Sequence, residues 1–174
     1  MAQKNSPSGP ALGMALLLTL TLIWACATPP QQGPCTVAVW ELENMGVSGA
    51  MADAGGLMTA RVLETFQAGG RCATIEREKL TLALEELNLS ASQLTDQDTR
   101  LRIGRMVGAS KMVFGGYQVW GNTMRLDLRM VDVSTGAILQ AATRSAAATD
   151  IAQWLDAAGQ AALALGDALP PLSK

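Results

Sequence analysis

The sequence predicts an α/β (α+β) fold, a mixed sheet of about five strands packed by about four helices in the order β-α-β-α-α-β-β-β-α. Three observations lead there. Short β-branched apolar runs alternate with segments whose apolar residues recur every three or four positions, the helical period. Three strands then follow one another with only brief turn signals between them. An amphipathic helical stretch closes the chain.

Strand one, residues 36–42 (TVAVWEL), is nearly continuously apolar, as expected of a strand covered on both faces. A loop over residues 43–54 carries Gly46 and Gly49. A helix follows from about Gly55 to Gln67, with Met58, Val62 and Phe66 at four-residue spacing, and Gly69-Gly70 ends it. Strand two, residues 72–76, is short. Leu80, Ala83, Leu84 and Leu87 mark a second amphipathic helix. Thr95 with Asp98 three residues on reads as a relative of the capping box, starting a third helix through Val107 with Ile103, Met106 and Val107 inward. Gly108 closes it.

Strand three is Lys111–Trp120, and Gly121-Asn122 is a two-residue hairpin signal with glycine first. Strand four, residues 123–133, alternates strictly. Met124, Leu126, Leu128 and Met130 face one way and Arg125, Asp127 and Arg129 the other, one buried and one wetter face. Ser134-Thr135-Gly136 turns into strand five, residues 137–145. The last helix begins near Thr149-Asp150, carries Ile151, Trp154, Leu155, Ala158, Ala161, Ala162 and Leu165 on its apolar stripe, and stops by Pro170-Pro171.

Ahead of this domain lies an apolar run, residues 11–25, ending at Cys26 and preceded by the single charge of Lys4. It is shorter than the roughly 20 residues of a spanning helix and reads as an export signal over residues 1–25. Ile23-Trp24-Ala25-Cys26 resembles the bacterial lipobox, whose cysteine is lipidated. Ala25-Cys26-Ala27 also fits the small-x-small site of the ordinary signal peptidase, which would release a soluble periplasmic protein. The three cysteines favour lipidation, because it uses Cys26 and leaves the pair Cys35 and Cys72. Ala27 stands where a signal for inner-membrane retention carries Asp, so the expected site is the periplasmic face of the outer membrane. Residues 27–34 (ATPPQQGP) form a Pro/Gln/Gly linker with a reach of about 25 Å. The folded domain is expected over residues 35–169, with residues 170–174 as a tail.

If strands one and two are parallel neighbours with a right-handed crossover, Cys35 and Cys72 sit side by side at their N-terminal ends. A disulfide closing a loop of roughly 38 residues is expected to contribute on the order of 4 kcal/mol. The alternative is two unpaired small hydrophobes.

Composition excludes several classes of function. The mature part is slightly acidic and holds no basic field for nucleic acid, and aromatics make up 4% of the chain, too few for base-stacking platforms. Histidine is absent, which removes His-based acid/base and nucleophile chemistry and the commonest metal ligand. No cofactor, metal or catalytic residue is assigned. Glu41 and Glu43 alternate at the end of strand one, where open sheets place ligands, and read either as an acid pair or as a solvated strand end. Glu76 and Glu78 flank Arg77, which suggests a local ion pair or helix-start charges. Trp120, beside the hairpin turn, either anchors a partner or folds back as an edge cover. Arg125, Asp127 and Arg129 form either a self-compensated outer face or a contact surface.

Leu126 to Leu139, LDLRMVDVSTGAIL, leads alternating apolar residues into a V-[DN]-x-x-T-G turn. Together with Ile75-Glu76-Arg77 before the Leu80/Leu84 helix, and Gly108-Ala109 before Phe114-Gly115-Gly116-Tyr117, it resembles the CsgG family, named for the outer-membrane lipoprotein of the curli secretion channel. The resemblance implies a non-enzymatic accessory or assembly module with an envelope protein partner, in an envelope, secretion or surface-structure system. By the same resemblance the domain recurs in lipoprotein activators of penicillin-binding proteins, the alternative function, although those sit on long tethers. The channel-forming member inserts hairpins between the third and fourth strands and before the last helix. Here Gly121-Asn122 and Ala146-Ala147-Ala148-Thr149 leave no room for hairpins of around 20 residues each. The loop after strand one also lacks the aromatic and asparagine residues that constrict the channel. A homo-oligomer without a pore is compatible with this fold.

Overall fold

The computed structural model describes Met1 and residues 34–46, 54–87 and 91–170. The leader, Cys26, the linker through Gly33, Gly49 and Pro171 lie outside the described residues. The chain divides into two units, Met1–Gln32 and Gly33–Lys174, and the fold below belongs to the second.

Its elements are β1 (Thr36–Val39), β2 (Glu43–Asn44), α1 (Ala54–Gly69), β3 (Ala73–Thr74), α2 (Arg77–Leu87), α3 (Ala91–Leu94), α4 (Gln97–Met106), β4 (Lys111–Trp120), β5 (Thr123–Asp132), β6 (Ile138–Ala147) and α5 (Ile151–Gly166). The sheet runs β3-β1-β4-β5-β6, with β2 pairing β4 off that path. β1 is parallel to β3 and β4, and β2 is parallel to β4. The β4–β5 and β5–β6 pairs are antiparallel. The predicted mixed sheet is therefore present, with one strand and one single-turn helix more than the sequence signals.

Two apolar cores explain the layers. On one face, α1 and α5 pack Met58, Val62, Phe66, Trp154, Ala158 and Leu165 against Val37, Val113 and the inward row of β5. Met124, Leu126 and Met130 of that row are fully buried. On the other face, α2 and α4 pack Leu80, Leu101 and Ile103 onto Ala38, Trp40, Met112, Phe114 and Val131. β1 is buried on both sides, which is why its sequence is unbroken apolar. Among the described residues no helix core reaches the opposite face of β5 and β6 beyond Val131 and Val133, so that part of the sheet is left uncovered by them.

Strand one is shorter than its sequence suggests. β1 ends at Val39, with the Trp40 N–H still donating to the Val113 carbonyl at 2.8 Å, and the chain rejoins β4 further along as Glu43–Asn44, at Gly116 and Tyr117. Gly55 makes this route possible, because a Cβ there would sit 2.3 Å from the Leu42 carbonyl oxygen. Thr59 locks the same point: its hydroxyl accepts the Leu42 N–H at 3.0 Å and donates to the Gly55 carbonyl at 2.7 Å.

The third predicted helix needs correction at both ends. Its N-cap is Asp96, not Thr95, and the Asp96 carboxylate accepts from the Thr99 N–H at 2.9 Å. Met106 is 50% exposed rather than inward, and Val107 is half-buried. The rotation is set by Gly104, where a Cβ would meet the Met112 sulfur at 2.3 Å; that close approach turns Leu101, Ile103 and Gly104 to the core. β6 runs on to Ala147, and α5 is capped by Asp150, which accepts from the N–H groups of Ala152 and Gln153.

A disulfide joins Cys35 to Cys72, with the two Cα atoms 4.8 Å apart. The Thr36–Ala73 register of the parallel β1–β3 pair sets the two residues side by side.

Candidate functional site

The β4–β5 hairpin builds the exposed end of the open face. Trp120 pairs with Thr123 across a two-residue turn whose first residue, Gly121, has φ +57°, a conformation other side chains resist. Trp120 shares its side of β4 with Phe114 and Gly116, and with none of the described residues covering it, it is 75% exposed. It projects outward rather than folding back.

Behind it runs the charged row of β5. Arg125 donates to Asp127 at 2.9 Å through its terminal nitrogen, and the Thr143 hydroxyl of β6 donates to the same carboxylate at 2.6 Å. Partial burial pushes the Asp127 carboxyl up, but the hydrogen bonds from Arg125 and Thr143 outweigh it and hold the group below its ordinary value. Arg129 takes part in no ion pair among the described residues. Its guanidinium donates to the Gln97 amide oxygen at 3.3 Å and lies 5.9 Å from the Phe114 ring centroid.

Glu41 and Glu43 do not form an acid pair. Glu41 meets Arg77 of α2 at 2.5 Å, which also replaces the local pairing with Glu76 and Glu78 suggested by the sequence. Glu43 meets Arg100 of α4 at 2.6 Å. The Arg100 side chain is only 12% exposed and lies beside two neighbouring rings, 5.4 Å from the Trp40 centroid and 5.9 Å from that of Phe114, so its charge is held by cation–π contacts as well as by Glu43. Sequence reasoning missed this arginine. Its only signal is a basic residue on the inward side of α4, and nothing local tells which aromatic it will meet.

Glu43, Asp127 and Arg129 line one groove of about 330 Å³ on the open face, together with Arg100, Met45 and Ile138. Trp120, Arg125 and Glu41 lie outside it. A larger hollow of about 580 Å³, bordered by Phe66, Arg71, Arg144 and Leu163, contains none of the candidate contact residues read from the sequence. The carboxylates of the open face are ion-paired, and among the described residues no three His, Cys, Asp or Glu side chains converge to hold a metal. The arrangement suits recognition of another surface: an exposed aromatic, a patterned charge row and a shallow groove.

Domains of similar fold, a mixed sheet packed by helices, occur in solved structures. The C-terminal domain of LpoB from Salmonella enterica shares the fold at 19% identity and TM-score 0.56, over 64% of this chain and 82% of that one. A lipoprotein from Neisseria meningitidis does so at 14% identity and TM-score 0.53, over 66% and 81%. A PelC dodecamer from Paraburkholderia phytofirmans does so at 17% identity and TM-score 0.51, over 80% and 90%. The family itself is set by sequence. The model described as curli production assembly/transport component CsgG matches residues 26–122, more than half of the chain, and the protein belongs to that family. No curated protein matches it in sequence.

Proposed function

We propose that this protein is a non-enzymatic accessory module of the cell envelope. It is lipidated at Cys26, held at the periplasmic face of the outer membrane, and binds an envelope protein through the hairpin end of its open sheet face. Membership of a family described by an assembly and transport component carries the reading. Two further features support it. The family match begins at Cys26, the residue that lipidation makes the first of the mature chain. β4 and β5 are joined by Gly121–Asn122 alone, so the polypeptide that a pore-forming hairpin needs is not at that position, and the exposed Trp120 stands there instead.

Metabolic labelling with palmitate tests the anchor. Label is expected on the native chain and lost in Cys26→Ala; an unlabelled native chain recovered in the cytosol overturns it. A photo-crosslinking amino acid at position 120, activated in intact cells, tests the binding end. A single crosslinked envelope protein is expected. If that protein is a penicillin-binding protein whose activity rises with the added domain, the module is a cell-wall synthase activator. Light scattering on the purified chain decides whether it works as a homo-oligomer.

A further inference from the structure

β6 ends the sheet, and no strand among the described residues pairs with its outer side. Which of its backbone groups face outward follows from one hydrogen bond. The Ala148 N–H donates to the Asn122 carbonyl at 2.9 Å, flanking the Thr123–Ala147 pair, so that pair is of the non-hydrogen-bonded kind. Alternation makes Arg125–Ser145, Asp127–Thr143 and Arg129–Ala141 the same kind. The N–H and C=O groups of Ala141, Thr143 and Ser145 therefore point away from β5. Ala147 follows the pattern and is already engaged, its carbonyl accepting from the Trp154 indole at 2.7 Å. The Thr143 carbonyl accepts from Arg144 at 2.8 Å, and among the described residues the rest of this row is open to an added strand.

Sheet edges that must stay free are normally guarded by lysine, proline or an inward charge. β6, ILQAATRSAA, has neither lysine nor proline, and its one inward charge, Arg144 opposite Leu126, occupies the Thr143 carbonyl alone and leaves the N–H groups of Ala141, Thr143 and Ser145 unguarded. On the open side Ala141, Thr143 and Ser145 are small and exposed. Directly behind them stand Arg129, Asp127 and Arg125, a plus-minus-plus row. A strand added to β6 would run about 10 Å from β5, two inter-strand spacings, with only short side chains between. Long charged side chains on the two strands meet across such a gap.

The charge row also selects the occupant. Two copies joined β6 to β6 about a two-fold axis at Thr143 would set Asp127 behind Asp127 and Arg129 behind Arg125, like facing like. The complementary row is minus-plus-minus. We propose that β6 receives an extended segment of a partner protein by strand addition, with an acidic residue, a basic residue two positions on and a second acidic residue two further on, all above the open face. The inference rests on the proposed role as a protein-binding module and names the chemistry of the bound segment.

The test uses the full chain in detergent micelles and a fluorescein-labelled nine-residue peptide with the core Glu-Thr-Lys-Thr-Glu. Saturable binding by anisotropy is expected, with slowed amide exchange at Ala141, Thr143 and Ser145. The charge-reversed peptide, Lys-Thr-Glu-Thr-Lys, should bind at least tenfold more weakly, and the double variant Arg125→Glu/Arg129→Glu should invert that preference. N-methylation of the peptide on the alternate residues facing β6 should abolish binding, whereas methylation of the other set should not. Equal binding of both peptides, or indifference to methylation, overturns the proposal. So does slow exchange at the three amides in the free protein together with an oligomeric mass, which would assign the edge to a second copy. Loss of palmitate label with peptide binding intact would sink the anchoring alone, and the reverse result would sink the strand addition alone.

Discussion

Replacing Thr59 separates two ways in which this buried residue stabilises the junction between β1, β2 and α1. Thr59 is 4% exposed, and its hydroxyl is the acceptor for the Leu42 N–H, itself in a residue 2% exposed. Thr59→Val keeps the shape and leaves the buried N–H without a partner, at a cost of about 1–3 kcal/mol. Thr59→Ser keeps the hydroxyl and removes one methyl, at a cost of about 1 kcal/mol. Valine is therefore expected to be the worse substitution, by roughly 1 kcal/mol. Urea unfolding reads the difference as a lower midpoint at unchanged slope, about 0.5 M for a slope near 2 kcal/mol/M. Amide exchange at Leu42 gives an independent readout: faster in Thr59→Val, unchanged in Thr59→Ser. Leu42 lies between Glu41 and Glu43, so the valine variant should also loosen the Glu43–Arg100 ion pair. A valine protein as stable as the serine one, with Leu42 still protected, would refute the hydrogen-bond argument and leave packing as the cause.

Reducing the Cys35–Cys72 bridge, which spans 37 positions, should lower stability by about 4 kcal/mol on the loop-entropy model, read as a shifted urea midpoint with and without dithiothreitol. Lys111 beside Asp132, with donors from Ser134 and Thr135, holds the Asp132 carboxyl far below the usual carboxylate range. The folded-state value is depressed, so the stabilisation is full above the unfolded value of about 3.9 and fades as pH falls through the folded one. Denaturation midpoints measured from pH 5 down to pH 2 should fall less steeply in Asp132→Asn than in the native chain. Trp120→Ala should leave the thermal midpoint nearly unchanged, since exposed substitutions stay within about 0.5 kcal/mol, while sharply reducing recovery of the partner in a co-purification assay.

Local pattern and tertiary structure divided the information in this protein along physical lines. Burial periodicity is a property of neighbouring residues, so the alternation of β5, the unbroken apolar β1, the Gly121-Asn122 turn and the stripe of α5 were all readable from the chain. The same pattern named Trp120 and the Arg125–Asp127–Arg129 row, because residues left off the apolar face stand out. Close approaches between distant segments leave no such periodic trace. The switch of the chain from β1 to β2 depends on Gly55 meeting the Leu42 carbonyl, and the rotation of α4 depends on Gly104 meeting Met112. Arg100 lying beside Trp40 and Phe114 likewise joins three elements that no short window contains. The sequence by itself determined which strands and helices form and which faces they bury. Only the packing decided which helices stop short of β5 and β6, and with it that, among the described residues, one sheet face and one strand edge remain open for recognition, because coverage is settled by where whole elements meet.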